Sequence, residues 1–207
     1  LNSVLESVNG SLTYIKSQTS FSEYYDSYGW FGTLEEINNL EMYKTVACIA
    51  PDYFGGDGCI DQGETPSTTI PIEFTGYPVD VLSASIMLSP GWNWVGYTPQ
   101  NTMGINTALS EINGVASYIK NQSNFSEYYD SYGWFGTLNE MNPYGGYMIN
   151  ALSEGELIYP DNIVTSNYIA SSQNLDVLDK TISTQKLNTS SFEFNGSIVL
   201  GLDDNLE

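Results

Sequence analysis

Phe21-Ser-Glu-Tyr-Tyr-Asp-Ser-Tyr-Gly-Trp-Phe-Gly-Thr-Leu34 occurs twice in this chain, the second time unchanged as Phe125 to Leu138. Fourteen consecutive identities at an offset of 104 residues establish an internal repeat. The same offset aligns Leu5 with Leu109, Asn9-Gly10 with Asn113-Gly114 and Tyr14-Ile15-Lys16 with Tyr118-Ile119-Lys120. Further on, Asn38 falls on Asn142 and Tyr43 on Tyr147.

The second copy, followed in both directions, gives the elements of one module. Ile86 to Tyr97 alternates bulky with small or polar residues, a strand pattern in which Trp92, Trp94 and Tyr97 are the large members. Asn106 to Ile112 reads as a short helix, with Asn106 or Thr107 as its cap and Asn113-Gly114 as its stop. Val115 to Lys120 and Phe125 to Tyr132 read as strands around a polar turn at Asn121 to Asn124, which makes a hairpin. Thr137 to Met141 reads as one helical turn, Asn142 to Gly146 as a turn, and Tyr147 to Leu152 as a closing strand. The expected fold is therefore mainly β with a minor helical part. It has two small β-rich modules with one short helix each, an extended linker and a C-terminal β tail. Residues 1–47 are the first copy, 48–79 a cysteine-containing loop and linker, 80–152 the second copy and 153–207 an extended tail. Thr65 to Ile72 is the most extended part of the linker, because its prolines cannot donate to a sheet ladder.

The two copies are unequal. The first begins at the equivalent of Ile105, so it lacks the Gly91-Trp92-Asn93-Trp94 strand. A module without that strand has an open sheet edge and an uncovered apolar face. Three sources would complete it: residues outside this sequence, another part of this chain, or a neighbouring molecule by strand donation.

Composition narrows the function classes. There are 25 acidic residues, 5 basic ones and no histidine, for a formal net charge of −20. Such a chain repels nucleic-acid phosphates and anionic membrane surfaces. Without histidine there is no Ser-His-Asp or Cys-His site and no His-ligated metal. No run of 18 apolar residues exists, so no helical membrane span is expected. Cys48 and Cys59 flank a Gly-rich stretch that can fold back, and a disulfide between them is expected because the rest of the composition looks secreted; two free thiols in a reducing compartment are the alternative. Five sequons, at Asn9, Asn121, Asn124, Asn188 and Asn195, permit glycosylation.

In order along the second copy, Gly91-Trp-Asn-Trp-Val-Gly-Tyr97, Gly133-Trp-Phe-Gly-Thr-Leu138 and Asn142-Pro-Tyr-Gly-Gly-Tyr-Met-Ile149 resemble a module recurring in large secreted and cell-surface proteins of marine bacteria, archaea and some giant viruses. Its pattern is GWN(I/V)(G/S)Y … WxGxLxxLxPGxGYxI. The resemblance spans residues 85 to 152 in full and 1 to 47 in part. It departs at Tyr144, where the pattern has Gly, and at Asn39-Leu40-Glu41-Met42, where the first copy has neither Pro nor Gly. The resemblance implies display, adhesion or assembly at a surface, without a known catalytic site. Ser191 to Leu200 also resembles the opening strand of the β-sandwich domain that often follows such modules.

Each candidate site also has a plainer role. Asp52, Asp57, Asp61 and Glu64 offer oxygen ligands for calcium near glycines, without the EF-hand spacing; a solvated acidic loop is the alternative. No other cofactor is expected. Trp30, Trp92, Trp94, Trp134 and Tyr147 are expected in module cores or at module interfaces. The exposed members of Tyr24 to Phe31 and its copy could instead stack on sugar rings. Glu23 with Asp26, and Glu127 with Asp130, are the carboxylate pairs a glycosidase would need, but nothing else suggests a cleft, and no enzyme activity is expected. The expected function is a structural segment of an extracellular repeat protein that assembles with copies of itself or neighbouring modules. The alternative is an adhesin that binds glycans or proteins.

Overall fold

Alternating side chains decide which strands can share a core, and the two repeats meet that condition at equivalent positions, with Val8 and Leu12 of the first standing where the second has Ile112 and Ala116. In the computed structural model, residues 1–47 and 80–160 are described, together with the backbone of three strands at 73–76, 183–186 and 196–198. The strands in chain order are β1 (Leu12–Lys16), β2 (Phe21–Tyr25), β3 (Gly29–Gly32), β4 (Tyr43–Ala47), β5 (Glu73–Gly76), β6 (Ile86–Leu88), β7 (Gly91–Gly96) and β8 (Met103–Gly104). They continue with β9 (Ala116–Lys120), β10 (Phe125–Tyr129), β11 (Gly133–Gly136), β12 (Glu140–Met141), β13 (Gly146–Ala151), β14 (Gly155–Leu157), β15 (Ser183–Lys186) and β16 (Gly196–Ile198). The chain is mainly β, as its alternating pattern requires. The described helical residues are one turn of α-helix, α1 (Ile105–Ala108), and 3-10 turns at Glu6–Val8 and Ser110–Ile112.

Each repeat is the body of one five-stranded antiparallel sheet, the first repeat supplying four of its strands and the tail the fifth. The second has the order β11-β10-β9-β13-β7, and the first has β3-β2-β1-β4-β16. Ile119, Ile149, Val95, Trp134 and Tyr147 point inward from the second sheet and are buried against α1 and the 3-10 turn, with Ala108, Leu109 and Ile112. The packed unit runs on past residue 152: β14 pairs with β6, and Leu157 and Tyr159 are fully buried in the same core. Leu5, Val8, Leu12, Ile15, Trp30, Leu34 and Tyr43 form the smaller core of the first repeat.

Identical sequence gives identical polar anchoring. Asn2 Oδ1 accepts from the Trp30 N–H at 2.7 Å, and Asn106 Oδ1 accepts from the Trp134 N–H at 2.7 Å. The indole N–H of Trp30 donates to Asn9 Oδ1 at 2.9 Å, and that of Trp134 to Asn113 Oδ1 at 3.1 Å. Buried Ser22 donates to the Leu34 carbonyl and Ser126 to the Leu138 carbonyl, at 2.7 and 2.6 Å. Buried polar groups need partners, so these bonds fix where each Trp and its hairpin sit.

Three local expectations change. Asn106 does not cap the helix; Gly104 is its N-cap residue and makes no side-chain cap bond. The Asn106 carboxamide is engaged instead on both backbone groups of Trp134. Thr137 to Met141 holds no helical turn, because Glu140 and Met141 pair as β12 with Gly104 and Met103 of β8. Finally, the helix expected over Asn106 to Ile112 breaks at Leu109 into α1 and a 3-10 turn.

Candidate assembly interface

Another part of this chain pairs with the open edge of the first repeat. β16 pairs antiparallel with β4, with Gly196 opposite Thr45, Ser197 opposite Lys44 and Ile198 opposite Tyr43. In the second repeat β7 pairs with β13, with Asn93 opposite Ile149, Trp94 opposite Met148 and Val95 opposite Tyr147. Tyr43, Lys44 and Thr45 are the 104-residue equivalents of Tyr147, Met148 and Ile149. Ile198 therefore stands at the register position of Val95, and β16 occupies the place of the missing strand with the same direction and register. Of the three sources open in the sequence, another part of this chain is the one observed.

The other edge of β7 is closed by the first repeat. The Gln18 side chain acts as a one-residue strand: its Nε2 donates to the Trp92 carbonyl at 2.8 Å, and its Oε1 accepts from the Trp94 N–H at 2.8 Å. One residue pair further on, the Gly96 N–H donates to the Leu40 carbonyl at 2.9 Å, and Glu41 bridges Val95. Leu40 also packs against the second core. Asn39-Leu40-Glu41-Met42, which lacks the Pro and Gly of its counterpart, is thus a contact between the repeats. A free edge is a template for unwanted pairing, and this contact removes one.

Trp94 lies at that junction under two ammonium groups, Lys16 Nζ at 5.1 Å and Lys44 Nζ at 4.6 Å from its ring centroid. Lys120 Nζ lies 5.0 Å from the Trp92 ring, which also meets Tyr118 edge-on at 5.9 Å. Desolvation, with the charges of Lys16 and Lys120, holds the Lys44 ammonium below its ordinary pKa.

The aromatic residues divide by strand alternation. Trp30, Trp134 and Tyr147 are buried, while Trp92 is 40 % exposed and Trp94 half-buried. On the outer faces, Phe21, Tyr25, Tyr28 and Phe31, and their copies Phe125, Tyr129, Tyr132 and Phe135, are exposed. Tyr14 stacks on Phe21 and Tyr118 on Phe125, at 5.9 and 5.6 Å between centroids. Of the carboxylate pairs, Glu23 accepts from the Tyr25 hydroxyl and Glu127 from the Tyr129 hydroxyl, both at 2.6 Å. These bonds to the neighbouring glutamates raise the pKa of both exposed tyrosines.

Asn9 is half-buried with its carboxamide oxygen on Trp30, and Asn121 Oδ1 accepts from the Ser123 and Asn124 amides in a turn. Cys48, Cys59, Asp52, Asp57, Asp61, Glu64, Asn188 and Asn195 lie outside the described residues. Among the described residues no cluster of His, Cys, Asp or Glu is placed to hold a metal ion, and no helix is long and apolar enough to cross a membrane. Sequence reasoning missed Lys16, Gln18, Leu40, Lys44 and Lys120. One signal was available: Lys16-Ser-Gln18 recurs as Lys120-Asn-Gln122 in a chain with only 5 basic residues. No family model matches this chain, and neither a curated protein nor a solved structure does.

Proposed function

We propose that this chain is a structural building block of an extracellular assembly, such as a fibre, sheath or surface layer, whose copies join by exchanging the strand β16. The supporting observation is the placement of β16 against β4, in the register that β7 keeps against β13. A strand that closes a sheet within one chain closes the same sheet of a second copy with the same hydrogen bonds, the principle of domain swapping. Filling one copy's slot from the next is a head-to-tail relation that need not close on itself, so it yields filaments. The acidic surface keeps unassembled copies apart, and salt lowers that barrier. In this reading the chain has no catalytic role.

The test uses the full chain and a variant ending at Ser190, followed by light scattering and negative-stain electron microscopy. The full chain forms concentration-dependent oligomers or filaments. The shortened chain does not, and it recovers order in its first repeat when a peptide of residues 191–207 is added. A full chain that stays monomeric at every concentration and salt level overturns the proposal.

The duplicated exposed aromatic face favours a second reading, an adhesin that stacks these rings on sugars or on another surface protein. Contiguous exposed apolar surface of this kind marks contact sites. Glycan arrays without a hit would remove the sugar version.

A further inference from the structure

Three of the 5 basic residues in a chain of net charge −20 converge on Trp92 and Trp94. Lys16 and Lys44 are cross-strand partners on the outer face of the first sheet. Lys120 lies on the second sheet in the row Trp94–Met148–Lys120. Among the described residues no carboxylate pairs with any of the three. The junction of the two repeats therefore gathers positive charge that no described residue pairs with, and like charges brought this close disfavour one another. Such a cluster is stabilised by an anion that bridges it.

We infer that this Lys16–Lys44–Lys120 junction is a docking site for the acidic, aromatic hairpin of a second copy of this chain. The inference rests on the assembly reading above and deepens it by naming a second contact. Charge complementarity selects the occupant. With a net charge of −20 the copies repel one another, so among the described residues this patch is where a second copy meets attraction. The hairpins β2–β3 and β10–β11 present Glu23 and Asp26, and Glu127 and Asp130, with exposed Tyr28 and Tyr132 beside them. Carboxylates reach the ammonium groups while the tyrosine rings lie along Trp92 and the lysine stems. A neutral sugar fits less well, because one face of each indole is already covered by a lysine. Lys16 and Glu23 share the outer face of the first sheet one strand apart, as do Lys120 and Glu127 in the second, so the lysines of one copy meeting a hairpin of the next is a contact between unlike patches, which is heterologous and propagates in the same sense as strand exchange.

Sedimentation velocity of the full chain across a concentration series tests this. Lys16→Gln/Lys44→Gln/Lys120→Gln keeps the apolar stems and is expected to weaken self-association about tenfold. Lys180→Gln/Lys186→Gln, which removes the other two positive charges of the chain, is expected to leave it within about twofold. Equal association of the patch variant and the wild type overturns the docking site while leaving strand exchange standing, and so does equal weakening in both variants. A wild type that never associates overturns both proposals. As a guard against misfolding, Lys16→Glu/Lys120→Glu is mixed with Glu23→Lys/Glu127→Lys. Tighter association of the mixture than of either variant alone supports the pairing, and association of the mixture no tighter than theirs overturns it. Retention of the wild type on alginate that the triple Gln variant loses, with self-association unchanged, assigns the patch to an acidic polysaccharide and overturns the second copy as occupant.

Discussion

Gln18 lends its side-chain amide to the outer edge of β7, where its Nε2 donates to the Trp92 carbonyl at 2.8 Å and its Oε1 accepts from the Trp94 amide at the same distance. The two repeats are thereby joined by backbone-like hydrogen bonds without a strand between them. Gln18→Leu removes both bonds and leaves the edge open. Both groups are near solvent, so the expected loss is about 1 kcal/mol, read from the urea midpoint. A midpoint equal to that of the wild type would show that the amide carries no stability.

Gly133 has φ of +74° and sits against the Asn106 carboxamide that holds Trp134. Gly133→Ala adds a Cβ in the left-handed region and displaces that carboxamide. The expected cost is about 2 kcal/mol. Asn106→Ala alone removes the same bonds, so the double variant should be less destabilised than the two single effects added together. Strict additivity in the double-mutant cycle would refute the coupling.

Tyr144 has φ of +63°, the left-handed region that favours glycine. It stands where the resembling pattern has Gly. Tyr144→Gly releases the strain, partly offset by the freedom glycine gains in the unfolded chain, and should raise stability by about 0.5 kcal/mol. A lower thermal midpoint for this variant would contradict that balance.

Tyr159 is fully buried, its ring is 5.0 Å from Tyr97, and its hydroxyl has no hydrogen-bond partner among the described residues. Tyr159→Phe keeps the packing and removes the unsatisfied group. Stability should be unchanged or higher by about 1 kcal/mol. A clear loss would reveal a partner for the hydroxyl.

Alkaline pH should unfold the chain from its buried tyrosines. Burial raises Tyr43 to about 12, with smaller opposing and reinforcing effects from Asn38 and Glu41. Burial raises Tyr147 and Tyr159 as well. The folded state holds these protons above the pH at which the unfolded chain releases them. Their contribution is therefore complete below about pH 10 and falls as pH rises through the folded values. Urea midpoints measured across roughly pH 8 to 12 should be flat at first and then decline. Tyr43→Phe should make the decline shallower, and an unchanged slope would remove Tyr43 from this account.

The repeat, its β character and the burial of Trp30, Trp134 and Tyr147 were legible in the sequence, because alternation and local turn chemistry act over a few residues and leave a pattern there. The roles of Asn106 and of Glu140-Met141 were misread for a related reason. An Asn before an apolar run looks like a helix cap, but its carboxamide is satisfied by Trp134, 28 residues away, and β12 exists only because β8 is beside it.

Two copies of one module follow from the order of residues alone. The folded chain was needed to show that Gly196–Ile198 pairs with β4 in the register that β7 keeps against β13, and that Gln18 and Leu40 close the edge of β7. It was needed as well to bring Lys16, Lys44 and Lys120 together over two tryptophans. Strand pairing and edge closure join groups far apart in the chain through backbone hydrogen bonds that many sequences could make. A three-residue strand or a single Gln therefore carries no mark of its partner until the fold brings the two together.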